Sequence, residues 1–421
     1  MFPFLENNHG ISPEDVHRFL KHLISSLGAP LQRILLIPPD ITRFHSYAGV
    51  LTRELYALLE TQGCHCDILP ALGTHMPMTR AEQIAFFGPD IPEDRFFCHR
   101  WREDTVVLGT ISAQEVSELS AGLLSQEIPI EVNRLLLCDY DWILSIGQVV
   151  PHEVVGMANY TKNILVGCGG SEMISASHLL SVLYGTERTM GEDFTPVRKL
   201  FDCAQDRFLS ALPLLYLLTV TQTDESGETK LLGLYADRKR EGFTRAVAQS
   251  QQVNITHLQS PIQTCVVYLD PAEFRTAWVG NKAIYRTRRA LAPGARLFIL
   301  APGFERFGED LHNDALIRKY GYRGRERILQ ALQQTPELQE NLSVVAHLAQ
   351  GSADGKFRII YCTPPSYASD IRRAGYEWAD CAEMCARFAG LCSGENHVQG
   401  EPVYFIPNPA LGLWVYDGAP V

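Results

Sequence analysis

Trp142-Ile-Leu-Ser-Ile-Gly-Gln-Val-Val-Pro-His152 is the stretch on which the reading of this chain turns. Following Asp139 and Asp141, the apolar run 142–146 predicts a buried strand that ends at Gly147. Beyond it come Pro151-His152-Glu153, a lone Lys162 and a Gly167-Cys-Gly-Gly170 turn, before a helical pattern resumes near His178. In open α/β sheets, ligands bind in the loops beyond strand ends. A loop this long, rich in groups that titrate or bind metals, is more than a connection.

Working outward, the same pattern recurs upstream. Ser12-Pro-Glu-Asp is a helix start, with Ser as cap, Pro in the first turn and acids facing the dipole. That helix is expected to reach residue 27 and stop at Gly28. Arg33-Ile-Leu-Leu-Ile37 reads as a buried strand closed by Pro38-Pro39, and Asp40-Ile-Thr-Arg43-Phe-His45-Ser46 follows directly. A helix over 47–62 leads to a strand over 66–72, which ends in Gly73-Thr-His75-Met-Pro77-Met-Thr79. Thr79 with Glu82 three residues on forms a capping box. This alternation predicts a doubly wound parallel sheet.

Downstream, a helix is predicted over 129–138, and mostly helix from His178 to residue 206. Strands over 212–223 and 230–236 flank the turn Asp224-Glu-Ser-Gly as a hairpin, and a helix over 238–251 follows. After Gln259-Ser-Pro261 the pattern restarts, with a strand over 264–269, a helix to 291 and a strand over 296–301. The expected fold is α/β with two domains, each a mostly parallel sheet flanked by helices. Residues 1–259 would carry the cofactor and catalytic residues, and 260–402 would close over the substrate. The tail 403–421, β-like at 403–406 and 413–416, is expected to return to the first domain.

Composition narrows the class. A chain of 421 residues with 46% hydrophobic and 20% charged residues is that of a soluble globular protein. The net charge of −11 and the absence of a Lys/Arg-rich stripe argue against nucleic-acid binding. No apolar run reaches the ~18 residues of a membrane span. The N-terminus lacks a basic region and a cleavage site, so a cytoplasmic protein is expected. Eleven scattered cysteines fit reduced thiols. Cys64-His-Cys66 and Cys381-Ala-Glu-Met-Cys385 lack a matching second pair at zinc spacing and read as structural.

Three predicted strand ends therefore bring Asp40, Arg43, His75 and His152 to one sheet edge. Histidine carries protons near neutral pH, and two can serve opposite sides of one substrate. Arginine grips a carboxylate bidentately, and Asp40 can orient an imidazole. Each has an ordinary reading too: a satisfied core histidine, a plain turn, a local ion pair. Composition and spacing alone stop at a small-acid enzyme using histidine acid/base chemistry.

The same residues resemble the lactate racemase family and its 2-hydroxyacid racemase and epimerase relatives, which use a nickel-pincer nucleotide. Asp40-Ile-Thr-Arg43 matches the family's Asp-x-x-Arg, and Gly73-Thr-His75 its Gly-x-His. Pro151-His152, Lys162 and His178 match its Pro-His, its cofactor-anchoring Lys and its metal-binding His. The resemblance covers 34–191 well and the rest loosely.

It implies that His75 and His152 are the two acid/base groups, one on each face of the substrate carbon. Arg43 would hold the substrate carboxylate and Asp40 support the neighbouring His. Lys162 would carry the pyridinium-3-thioamide-5-thiocarboxylic acid mononucleotide of nickel covalently, and His178 would ligate the metal, in keeping with the taste of Ni(II) for imidazole and sulfur. The implied reaction inverts C2 of a 2-hydroxy acid by reversible hydride transfer, with cofactor-building enzymes as partners.

Departures bear on the substrate. The family's Lys-bearing loop is rich in Ser and Gly, whereas this one reads Gly156-Met-Ala-Asn159-Tyr160-Thr161-Lys162. Where the family has Gln and Lys after a Tyr, this chain has Arg286 and Arg289 after Tyr285, and no Trp lid aligns near 340–348. Two guanidiniums favour a polar acid, such as gluconate or malate, over lactate. Lactate or another short-chain acid is the alternative. A zinc-dependent or metal-free lyase or dehydrogenase competes less well, lacking Gly-x-Gly-x-x-Gly after a strand and a zinc signature. A non-catalytic binding protein for an anionic small molecule is the remaining reading.

Overall fold

The computed structural model describes residues 2–28, 30–224 and 227–418. The chain divides into two compact units: Met1–Leu180 with Gly191–Asn254, and Ser181–Met190 with Ile255–Val421. Each holds a six-stranded, mostly parallel sheet. This is the α/β architecture expected.

In the first unit the elements run β1 (Phe4–Glu6), α1 (Pro13–Ser26), β2 (Arg33–Ile37), α2 (Ala48–Glu60), β3 (His65–Ile68), α3 (Arg80–Phe87), β4 (Thr105–Ile111), α4 (Ala113–Leu119), β5 (Ile128–Asn133), β6 (Trp142–Gln148), β7 (Pro151–His152), β8 (Gly156–Met157), α5 (Thr161–Leu165), α6 (Ser171–Tyr184), α7 (Thr186–Thr189), α8 (Pro196–Ala204), β9 (Leu214–Thr223), β10 (Thr229–Asp237) and α9 (Arg240–Asn254). The end of α6 and all of α7 belong to the second unit. Sheet order is β1-β10-β9-β6-β2-β3. The four strands β9, β6, β2 and β3 are mutually parallel, so β2, β3 and β6 end on one edge.

Local chemistry accounts for the elements. Ser12 caps α1 by accepting from Asp15 N–H, and Thr79 with Glu82 closes the predicted capping box on α3; such a cap is worth about 1 kcal/mol. Helix α1 buries Val16, Phe19, Leu20, Leu23 and Ile24 at helical spacing, each contributing about 1.5–3 kcal/mol relative to exposure. They pack with α2 residues against Ile34 and Leu36 of β2 and Leu144 and Ile146 of β6. Side chains alternate across a strand, so Leu35 and Ser145 face the opposite side. Helix α5 lies on that side, where Asn163 Nδ2 donates to Ser145 Oγ at 2.9 Å and to the Ile37 carbonyl at 3.2 Å.

Two expectations fail here. Residues 129–138 are not a helix: β5 pairs antiparallel with β4 and ends in a short 3-10 turn over Arg134–Leu137. Ile128, Ile130 and Val132 are fully buried, a period of two that the following Leu135-Leu-Leu run disguised. Strand 66–72 is shorter than predicted, since β3 ends at Ile68. The hairpin of β9 and β10 forms as expected, although Glu225 and Ser226 in its predicted turn lie outside the described residues.

In the second unit β11 (Ile255–Leu258), β12 (Ile262–Tyr268), β13 (Leu291–Leu300), β14 (Arg358–Thr363), β15 (Glu377–Asp380), β16 (Gly394–Val398), β17 (Glu401–Ile406) and β18 (Leu413–Tyr416) follow in order. The sheet runs β15-β14-β13-β12-β17-β16, parallel except at β16–β17. The helix predicted up to residue 291 is two short turns, Ala277–Gly280 and Lys282–Tyr285. The chain end corrects the expected return to the first domain. Strand β17 joins β12 and β18 pairs with β11, both within this unit, where Val403 and Ile406 of β17 enter the two cores on either face of the sheet. The units divide at Asn254/Ile255, slightly before the expected boundary at 259. No helix among the described residues is long and apolar enough to cross a membrane.

Candidate active site

Three loops leave the shared edge of β2, β3 and β6. Asp40 follows Pro38-Pro39 and caps a 3-10 turn over Ile41–Ser46, accepting from Thr42 N–H at 3.1 Å and Thr42 Oγ1–H at 2.5 Å. Its other oxygen accepts from His75 Nδ1 at 2.5 Å. Burial pushes the Asp40 carboxyl up, but the bonds from His75 and Thr42 and the Arg43 charge outweigh it, leaving the acid below its ordinary value. It is therefore an anion, and His75 Nδ1 carries the hydrogen. Nε2 of His75, a side chain 57% exposed, is then the basic nitrogen.

The loop carrying His75 is held by backbone bonds, Gly73 N–H to the Gly167 carbonyl and His75 N–H to the Leu72 carbonyl, both 2.9 Å. Gly73 takes a φ of 57°, and a Cβ there would crowd the Val166 carbonyl at 3.3 Å. The two conspicuous glycine segments of the sequence thus meet each other.

His152 sits in the two-residue strand β7, paired with β8, and is buried. Its Nδ1 accepts the Val154 N–H at 3.1 Å. A backbone amide can only donate, so neutral His152 carries its hydrogen on Nε2. Burial pushes its pKa well down; Glu153 opposes this, and the charges of Lys162, Arg43 and His178 add to it. The two histidines therefore differ: His75 offers a lone pair at Nε2, His152 a donor.

Lys162, in the first turn of α5, is half-buried. Burial and the Arg43 charge bring its pKa down to about 8, with Glu153 and Asp40 opposing. Such an amine is a usable nucleophile near neutral pH. His178 on α6 donates Nδ1–H to the Ile174 carbonyl at 2.6 Å, which puts the ring's lone pair on Nε2, the arrangement that second contacts impose on ligating imidazoles. Burial also lowers its pKa, against the Ile174 bond. Among the described residues no cluster of three or more His, Cys, Asp or Glu could hold a metal. The groups that could hold a metal-bearing nucleotide are one oriented imidazole and one reactive amine.

Asp40, Arg43, His75, His152, Lys162 and His178 all belong to the first unit, joined by these bonds and by the charges acting on His152 and Lys162. Arg286 and Arg289 belong to the second. Arg286 is buried and donates to the Gly412 carbonyl at 2.8 Å; Arg289 donates to the Met190 carbonyl at 3.2 Å. Their own carbonyls accept from Trp414 and Tyr416, so this segment anchors β18. Arg288 is tied to Glu187 and Asp354.

Residues 14–191 match the family described as the lactate racemase N-terminal domain. Over that stretch the chain is similar to the lactate racemase family. A protein of solved structure from Thermotoga maritima is similar over 97% of this chain and 99% of its own, at 26% identity and a TM-score of 0.82. The lactate racemase apoprotein from Thermoanaerobacterium thermosaccharolyticum is similar in fold over 95% of this chain and 92% of its own, at 17% identity and a TM-score of 0.69. No curated protein matches the sequence.

Within residues 14–191, two supporting groups escaped sequence reasoning. Glu153, quoted only as part of Pro-His-Glu, acts on His152, Lys162 and His178 together. His99 is buried, donates Nε2–H to the Gly169 carbonyl at 3.0 Å and accepts from Asn133 Nδ2 at 2.9 Å. It fastens the Gly-rich turn, and only its pairing with Asn133 from another element reveals this.

These imidazoles set an acid limit. Burial holds His99, His152 and His178 below the ordinary histidine value, which they regain on unfolding. The unfolded chain therefore binds protons below pH ~6.5 that the native chain refuses, so stability is full above that pH and lost as it falls. Each pKa unit is worth about 1.4 kcal/mol, or about 3–6 °C in a unit of this size. Thermal melts are expected to fall by several such steps between pH 7.5 and 5.5. A flat profile would show that these rings are solvated.

Proposed function

We propose that this chain is a racemase or epimerase inverting C2 of a 2-hydroxy acid, with a nickel-pincer nucleotide held on Lys162 and ligated by His178. What supports the reading is an amine lowered to about 8 at Lys162, whose charge acts on the Ile174-oriented imidazole of His178, together with the Asp40-backed His75 at the sheet edge. When bound, such a nucleotide supplies a reversible hydride acceptor.

The protein's own residues do the rest. Arg43 receives the substrate carboxylate; among the described residues it has no ion pair of its own, and its planar fork suits that group. His75 Nε2 takes the hydroxyl proton, and the Asp40 carboxylate stabilises the imidazolium that forms. His152 presents Nε2–H to the substrate oxygen and stays neutral while Val154 occupies Nδ1. The buried surroundings of His152 and Lys162 keep water from competing.

For the substrate, Arg286 and Arg289 in place of Gln and Lys favour a sugar acid of the gluconate type or malate, although their bonds to Gly412 and Met190 also give them a structural role. Protein made with the cofactor-building enzymes is expected to invert an aldonic acid or malate faster than lactate, followed by chiral chromatography. Arg286→Gln should narrow that preference by about 1–3 kcal/mol, on the order of ten- to a hundredfold in relative kcat/KM. If lactate is turned over best and Arg286→Gln leaves the ranking unchanged, the polar-substrate reading is wrong. If nickel-loaded protein inverts no 2-hydroxy acid, the racemase reading falls with it.

A further inference from the structure

Lys162 follows a backbone that its residues do not favour. Asn159 and Tyr160 have successive positive φ angles of 65° and 56°, and Tyr160 combines its own with a ψ of −131°. Neither is glycine, and bulky L residues rarely adopt such conformations unless their surroundings impose them.

Arg198, on α8, is wholly buried. Its Nη1 donates to Thr161 Oγ1 at 2.6 Å, and its Nη2 to the Met157 carbonyl at 2.6 Å and the Asn159 carbonyl at 3.3 Å. Its guanidinium lies 4.4 Å from the centre of the Phe243 ring. Phe243 in turn stacks on Tyr160 at 5.1 Å, whose other neighbour is Tyr216 at 4.5 Å. One side chain thus bonds three residues of 157–161 and helps clamp the ring of a fourth. Helix α8 is itself pinned beside this loop, since Thr195 donates to the Val155 carbonyl and accepts from Arg198 N–H. On the far side of Lys162, Asn163 bonds β2 and β6. Both neighbours of Lys162 are fastened.

A buried guanidinium is a poor source of stability alone, because apolar side chains of similar volume do as well or better. What it provides is a planar fork of donors at fixed angles. We propose that Arg198 is a positioning residue whose three hydrogen bonds hold 157–161 in the conformation that presents the Lys162 amine to the site. The use made of that amine rests on the function proposed above; the holding of the loop does not.

The test uses the full-length protein without cofactor. Hydrogen exchange of peptides spanning 156–163 is compared in wild type, Arg198→Met and Arg198→Lys. In parallel, the pH dependence of Lys162 acetylation is followed by mass spectrometry, with exposed Lys21 as reference. Both variants are expected to speed exchange of 156–163 on the order of tenfold while leaving α1 and β10 protected. The acetylation midpoint of Lys162 should rise from about 8 towards the ~10.4 of a solvated lysine. Arg198→Lys keeps the charge but loses the fork, so it is expected not to rescue.

Should Arg198→Met fail to fold, Thr161→Val deletes one bond and should move both readouts the same way by less. Unchanged local exchange and midpoint in a folded variant would overturn the proposal, as would a uniform rise in exchange across the unit. Rescue by Arg198→Lys would also overturn it, leaving charge alone as the cause. Absence of any adduct on Lys162 in wild-type protein made with the cofactor-building enzymes would sink the proposed function, while the measurements on cofactor-free protein still decide the role of Arg198.

Discussion

Lys162→Ala is expected to yield a protein that folds normally, carries no covalent adduct and shows no nickel-dependent visible absorption or C2 inversion. The fold should survive because the residues on either side make the local bonds: Thr161 to Arg198, Asn163 to Ser145 and Ile37. The amine itself is held against its preference, its pKa drawn down to about 8 by burial and Arg43, so its removal relieves an unfavourable burial. Thermal stability should therefore be unchanged or slightly higher, and intact mass with metal analysis gives the decisive reading. His178→Ala separates anchoring from ligation, since it should keep the adduct and lose nickel. Wild-type protein that is fully active with neither nickel nor adduct would end the nickel-pincer reading.

What the sequence disclosed, and what it hid, follows from the range of the interactions involved. Strand ends near Ile37 and Gln148 were legible because apolar runs broken by Pro or Gly are local signals, and parallel alternation then put Asp40, His75 and His152 on one edge even though β3 stops before its predicted end. The caps at Ser12 and Thr79 are equally local. Strand β5 was misread because the Leu135-Leu-Leu run beside it imitates helical spacing, while the antiparallel partner that decides the matter, β4, lies upstream. The pairing of β17 with β12 and β18 with β11 is likewise invisible until the sheets assemble. Arg198 had no signal at all: its partners lie in 157–161, and nothing in Pro-Val-Arg-Lys marks a buried guanidinium. The tautomers of His75, His152 and His178 depend on single contacts to Asp40, Val154 and Ile174, which spacing does not encode.

Those tautomers sharpen the second large effect. His75→Ala and His152→Ala are each expected to lower the inversion rate by about 10²–10⁴-fold, the usual loss when a positioned acid or base is removed, with adduct and nickel retained. The two should differ in kind. His75 is held in its tautomer by Asp40, so Asp40→Asn should mimic much of the His75→Ala loss. His152 is kept neutral by burial and by the Val154 N–H, so its loss should depend little on pH across the neutral range. Substrate deuterated at C2 discriminates the chemistry. Label retained on carbon fits oxidation and reduction at C2, whereas washout into water would mean that a histidine removes the C2 proton, and the hydride reading would be abandoned. An Asp40→Asn variant that keeps the full rate would contradict the division of labour that the Asp40 and Val154 contacts imply.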